Sequence, residues 1–259
     1  MRFKVILSVS PDLGSVLPIS YQYELAACVN RLMTGNEAAY SQWLQLNQLS
    51  HEDNLRQKLY SISNLYIPKI HVEGDRLKIL TPRIQFWISF THEVGTEEYV
   101  RECMLGQEVV IGDRLSRVRL QIEKIDTVAP VEFFETMEYM ALAPMVVIGM
   151  RPNNSLEFLD PTNDYFARFL VDDLIERYER LSRSPYTGSR EYSFELLSPP
   201  KRKGVMVRPY TPQQQKIIGY MFKFRLTMEV SLQRFAYDLG MGDKINFGFG
   251  YVELINKQP

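Results

Sequence analysis

Four glycines fall within the eleven residues Gly240-Met241-Gly242-Asp243-Lys244-Ile245-Asn246-Phe247-Gly248-Phe249-Gly250. The run sits between an amphipathic stretch, Ser231 to Leu239, that reads as a helix and an apolar stretch, Tyr251 to Ile255, that reads as a strand. Glycine has no Cβ, so it reaches φ > 0 and lets a second backbone come close. Such a run forces a tight reversal between the two elements. Its successive N–H groups could form a concave anion site, with phosphate the usual anion. They could equally serve a turn that packs on a sheet. Spacing alone leaves both readings open.

Upstream, Arg2 to Ser8 is short, β-branched and aliphatic, the pattern of a buried strand. Ser20 is positioned to cap a helix running to Met33, and Asn36 to Leu46 reads as a second, shorter helix. Ser50-His51-Glu52-Asp53 has a capping-box pattern, with an acid three residues after the hydroxyl. Strands are predicted over Lys58 to Tyr66, Arg76 to Thr81 and Arg83 to Thr91; in the last, Ile84, Phe86, Ile88 and Phe90 alternate with polar or amphipathic neighbours. A helix over Thr96 to Leu105 and strands over Val109 to Ile111 and Arg117 to Ile125 complete the first unit. Pro130 to Glu138 reads as a linker. A strand over Met145 to Met150 and a helix over Asp164 to Leu181 follow. Tyr192 to Leu197 and Val205 to Tyr210 suggest a hairpin around Pro199 to Gly204, and Ile217 to Met228 a further strand. Each half therefore reads β-α-β-β-α-β. The expected fold is α+β: two tandem ferredoxin-like (RRM-like) domains with antiparallel sheets, over residues 1–130 and 137–259.

The chain of 259 residues carries a formal charge of −1, so bulk charge does not announce a nucleic-acid binder. The mean hides an asymmetry. From Lys201 to the end, ten Lys/Arg face four Asp/Glu; from Glu97 to Arg180, nine face seventeen. Cys28 and Cys103 are the only cysteines and stand far apart, which argues against a structural zinc site and for a reducing compartment. The apolar start runs into Pro11 and is too short to span a membrane. The reading is a cytoplasmic protein with no membrane partner, no metal site and no cofactor.

The terminal run fits G-h-G-x5-G-h-G, where h is apolar and Met241 and Phe249 fill those places. Three other stretches stand beside it: Tyr21-Gln22-Tyr23-Glu24-Leu25 opening the first helix, Ser61-Ile62-Ser63-Asn64-Leu65 in the second strand, and Gly219-Tyr220-Met221-Phe222-Lys223-Phe224 before the last helix. In these features the whole chain resembles the CRISPR-associated endoribonuclease that cuts repeat RNA transcripts, a member of the RAMP superfamily. The resemblance implies a metal-independent reaction on precursor CRISPR RNA. The ribose 2′-hydroxyl attacks the adjacent phosphate, leaving 2′,3′-cyclic phosphate and 5′-hydroxyl ends. Implied partners are the repeat RNA, a CRISPR effector complex and a second copy of the chain.

Such a cleavage needs a base for the 2′-hydroxyl and a cation for the phosphorane. Family members place a tyrosine, a histidine and a lysine between the first helix and second strand. Here Tyr40, His51 and Lys58 stand there in that order, although His51 comes six residues after Gln45 rather than directly behind the Tyr40-Ser41-Gln42-Trp43-Leu44 stretch. At a helix start, His51 is placed to act as the base. His71 and His92 read as structural or surface residues. The bland alternatives are a solvated His51, a water-facing Lys58 and a core Tyr40. For RNA binding, Lys201, Arg202 and Lys203 are expected to crown a hairpin, with Lys223 and Arg225 on a nearby strand. Lys244 and Asn246, with Gly240, Gly242, Gly248 and Gly250, complete the candidate surface. Two other functions stay open: a non-catalytic RNA-binding subunit of a CRISPR ribonucleoprotein, and a ferredoxin-like metabolic protein that holds a nucleotide phosphate in its glycine loop.

Overall fold

The structure is a computed structural model that describes residues 1–56, 59–151 and 153–255. The first half runs β1 (Arg2–Ser10), β2 (Val16–Pro18), α1 (Gln22–Gly35), α2 (Glu37–Leu46), α3 (His51–Arg56), β3 (Tyr60–Ile62), β4 (Ile70–Glu73), β5 (Arg76–Ile79), β6 (Arg83–Phe90), α4 (Thr96–Met104), β7 (Glu108–Gly112) and β8 (Arg117–Thr127). The second runs β9 (Thr136–Ala141), β10 (Ile148–Met150), β11 (Leu156–Phe158), α5 (Phe166–Ser182), β12 (Ser193–Leu196), β13 (Lys201–Val207), β14 (Gln215–Met221), β15 (Lys223–Thr227), α6 (Val230–Leu239) and β16 (Val252–Leu254).

The first main sheet has the order β3-β6-β1-β8-β7 and the second β12-β15-β9-β16. Leaving aside the extra strand β7, both follow second-third-first-fourth, the topology of a ferredoxin-like unit, with every pairing antiparallel. Each sheet has its own core. Strand alternation puts Ile84, Phe86, Ile88 and Phe90 of β6 inside the first, as their period requires. Tyr139, Phe224, Leu226 and Val252 line the second. A third, smaller cluster of Val146, Val205, Val207, Ile217 and Phe249 lies under the β13–β14 hairpin.

Several expectations are corrected. Helix α1 starts at Gln22 behind Tyr21, with no side-chain cap, so Ser20 does not cap it. The first strand of the second unit is β9, which starts within the expected linker and runs past its end; Met145 to Met150 instead supplies β10, which pairs with β11. Ile217 to Met228 is not one strand. It changes sheets at Phe222, leaving β13's partner β14 on one side and main-sheet β15 on the other. Strand β12 pairs with β15 rather than β13, so Pro199 to Gly204 is not a hairpin turn. The lysine-arginine run lies in β13 itself, and the real hairpin tip spans residues 208–214. Pattern cannot separate these cases, because strand periodicity is the same whichever sheet a strand joins.

The two units share a polar seam. Arg2 Nη1 donates to the Tyr251 hydroxyl and the Val252 carbonyl, each at 2.9 Å, and its guanidinium lies 3.1 Å from the centre of the Tyr237 ring. Asn64 N donates to Leu142 O at 3.0 Å, and Ser61 Oγ to Asp238 O at 3.3 Å. Among the described residues, no helix is long and apolar enough to cross a membrane.

Candidate nuclease centre and RNA surface

Helix α3 begins as its sequence requires. Ser50 N and Oγ donate to Asp53 Oδ2 at 2.7 and 2.8 Å, and Asp53 N donates back to Ser50 Oγ at 3.2 Å. This holds His51 exposed at the first turn, its ring edge-on to Tyr40 with centroids 5.2 Å apart. Tyr40 comes from α2, whose start is capped by Asn36 Oδ1 accepting from Ala39 N at 3.1 Å. Burial alone would raise the Asp53 carboxyl, but hydrogen bonds from Ser50 and Arg183 bring it below the ordinary carboxylate value. Arg183, just past α5, donates from Nη2 to Asp53 Oδ2 at 2.9 Å, so the second unit reaches the His51 turn.

Tyr40 itself is 7% exposed, in an aromatic cluster with Tyr99 and Trp43. It is a core residue whose ring packs against His51, as in the bland alternative for this side chain. Lys58 lies outside the described residues. His92, read as ordinary, packs on the other side of the cluster against Trp43 at 6.5 Å; burial lowers the affinity of its imidazole for a proton, while the Asp53 charge opposes that. His71 stands on exposed β4, in the separate sheet β2-β5-β4.

The glycine loop is not an open cradle. Gly240, Gly242, Gly248 and Gly250 are all buried with positive φ. A Cβ on Gly240 would sit 2.8 Å from Gly250 O, and one on Gly248 would sit 2.9 Å from Gln22 O of α1. Neighbouring amides are spent internally: Met241 N on Gly250 O, Asp243 N on Val146 O and Gly250 N on Pro144 O. The glycines let three backbones meet at the seam, and the amides of Met241, Asp243, Gly248 and Gly250 are spent there rather than open to phosphate. What the loop offers outward is Asn246, exposed, and Lys244, half-buried at φ 61°.

Lys201, Arg202 and Lys203 are exposed along β13, opposite Met221, Tyr220 and Gly219 of β14. Lys223 is exposed on β15. Arg225 is committed elsewhere: Nη2 binds Glu138 at 2.7 Å, and Nη1 binds Glu195, so its charge is neutralised within the sheet. Residues missed from sequence gather instead at the β13–β14 tip. Arg208 and Tyr210 there face Arg114 and Arg117 of the β7–β8 turn across a cleft of about 530 Å³. Arg208-Pro209-Tyr210 was the available signal, a basic and aromatic pair between two strands.

The family model for CRISPR associated protein Cas6, C-terminal, matches residues 128–254, the whole second unit with its glycine loop. Across the full chain, the CRISPR-associated endoribonuclease Cas6 1 of Methanocaldococcus jannaschii is 22% identical over 96% of this chain and 91% of its own. The second unit belongs to the Cas6 C-terminal family, and the likeness to Cas6 proteins runs the length of the chain. Solved structures agree in fold. A RAMP protein described as binding different RNA substrates superposes with a TM-score of 0.79 at 24% identity, covering 99% of this chain and 100% of that one. A Cas6-related protein from Pyrococcus furiosus gives 0.78 at 22% identity, over 100% and 99% of the two chains. The tandem ferredoxin-like architecture is thus the Cas6 architecture, with its glycine loop packed at the seam.

Proposed function

We propose that this protein cuts precursor CRISPR RNA within the repeat by 2′-hydroxyl attack, with no metal in the chemistry. His51 takes the proton from the 2′-hydroxyl as the new O–P bond forms. The P–O5′ bond then breaks, and the 5′-oxygen takes a proton from water and leaves as a hydroxyl. The one observation that carries this reading is an exposed imidazole held by the Tyr40 ring and a closed capping box, in a family whose members are named as endoribonucleases. Lys58 follows in the chain as the cation for the phosphorane. Lys201, Arg202, Lys203 and Lys223 hold the RNA backbone, with Lys244 and Asn246 at the loop.

Burial of Tyr40 favours a second reading, a non-catalytic RNA-binding subunit, because it removes one candidate from direct contact with RNA. End-labelled repeat RNA incubated with the protein in EDTA separates the two. Cleavage at a single site leaving a 2′,3′-cyclic phosphate supports the nuclease; tight binding with intact RNA supports the subunit.

A further inference from the structure

The cleft between the β7–β8 turn and the β13–β14 tip has a composition that a general phosphate track does not need. Its walls include Tyr23 and Glu24 from the first turn of α1, Arg114 and Arg117 from the first unit, and Arg208 and Tyr210 from the second. Among the described residues, none of the three arginines has a carboxylate partner; the acid of the β7–β8 turn, Asp113, is taken by Arg76 at 2.7 Å. Among the described residues, Glu24 Oε2 has no hydrogen-bond partner, and it is shut off from solvent. A buried acceptor left unsatisfied is costly, and in native proteins such a group calls for an explanation.

The tip is built to present its side chains. Arg208 and Tyr210 both hold left-handed backbone, at φ 51° and 63°, a conformation that bulky residues avoid and that tends to persist at ligand sites. Tyr210 N donates to Gln214 Oε1 at 2.8 Å and Thr211 Oγ1 to Arg208 O at 2.9 Å, which locks the turn. The Tyr210 ring carries the Arg114 guanidinium at 4.4 Å from its centre and is still 56% exposed. Tyr23 is braced edge-on by Phe247 of the glycine loop at 5.7 Å.

We propose that this cleft binds one guanine nucleotide of the RNA strand, with the base stacked on Tyr210, the Glu24 side chain turning out into the cleft to accept from its N1–H and N2–H, and the arginines taking the O6/N7 edge and the phosphate. The proposal rests on the RNA-binding reading above and adds a base-specific pocket to it. Base chemistry selects guanine. A carboxyl acceptor meets two parallel donors on guanine's pairing edge; on adenine, cytosine and uracil the donor is flanked by a repelling acceptor. Arginine pairs with guanine O6 and N7 better than with any other base. Stacking on tyrosine adds affinity that does not depend on the base.

The test uses the full chain and fluorescence anisotropy with labelled uridine octamers carrying one central guanosine, inosine or adenosine. Guanosine is expected to bind at least fivefold tighter than adenosine. Inosine, which lacks the N2 amino group, should lose most of that gain. Glu24→Gln should bring the guanosine and adenosine affinities together, and Arg114→Ala, at an exposed site, should weaken the guanosine octamer; a cooperative thermal melt confirms folding of both. Equal affinity for guanosine and adenosine, or a preference that survives Glu24→Gln, overturns the pocket. So does free guanosine monophosphate competing as well as the octamer, which would make the ligand a free nucleotide. If the protein binds repeat RNA but shows no preference in this assay, only the pocket falls; if it binds neither repeat RNA nor any octamer, the RNA reading falls with it.

Discussion

The ring of Tyr40 meets the ring of His51 edge to face, with centroids 5.2 Å apart, while Tyr40 is sealed in the core and His51 faces solvent. The contact couples a rigid aromatic cluster to the proposed base, and it separates what the two side chains do. His51→Ala should lower single-turnover cleavage of repeat RNA at least about tenfold, the lower side of what a positioned general base supplies, while RNA is still bound. Tyr40→Phe keeps the ring and should keep cleavage. A loss of cleavage in Tyr40→Phe would mean that the hydroxyl reaches the RNA after all.

Gly242→Ala puts a Cβ into the carbonyl oxygen of Val146 at a φ of +83°, so strain and overlap act together. The expected cost is about 1–3 kcal/mol, read as a lower melting temperature. Gly35→Ala, at the end of α1 with nothing within 4 Å of the added Cβ, should stabilise the fold by about 0.4–1 kcal/mol and raise the melting temperature. If the glycines served phosphate contact rather than packing, Gly242→Ala would weaken RNA binding and leave the melt unchanged.

Replacing Lys201, Arg202 and Lys203 by alanine should weaken RNA binding and flatten its salt dependence. On a single strand the log-log slope should fall by roughly 0.7 for each phosphate that the side chains cease to neutralise. Arg225→Ala should alter the slope little, because Glu138 and Glu195 already neutralise that guanidinium. Titration of binding against potassium chloride for the two variants checks both expectations.

Asp243 accepts from Ile148 N at 2.8 Å, and burial pushes its carboxyl up from 3.8 to about 6, with Asp173 nearby adding to the rise. The folded state therefore holds this proton more tightly than the unfolded chain. The stability it contributes is fully present below about pH 4 and is lost as pH rises through about 6. Glu24, raised from 4.5 to about 7, acts with the same sign over a slightly higher window. Melting temperatures measured from pH 4.5 to 8 should fall less steeply in Asp243→Asn than in the parent. An equal slope in the two proteins would remove Asp243 from the pH dependence.

Much of the architecture was legible because local physics and tertiary structure agree there. The alternation in β6 could be buried on only one face, and Ser50 and Asp53 close their capping box without outside help. Helix α4 and the amphipathic α5 and α6 stand where their patterns put them, give or take a residue or two. The errors cluster where identical patterns admit different partners. An alternating strand reads the same whether it joins the main sheet or a hairpin, which is why neither β9 nor the β14–β15 switch at Phe222 is readable from pattern.

The amino-acid sequence by itself determined most helices and strands of the two units, the start of α3 and the glycine spacing, because each depends on residues within a few positions of one another. Only the tertiary structure decided what those parts face. It closed the four glycines against the backbones of Val146, Gln22 and the loop itself, brought Arg183 to Asp53 from 130 residues away, and set Glu24 among arginines from both units. Such relationships depend on how separate elements pack, and no local spacing encodes which surfaces the chain will bring together.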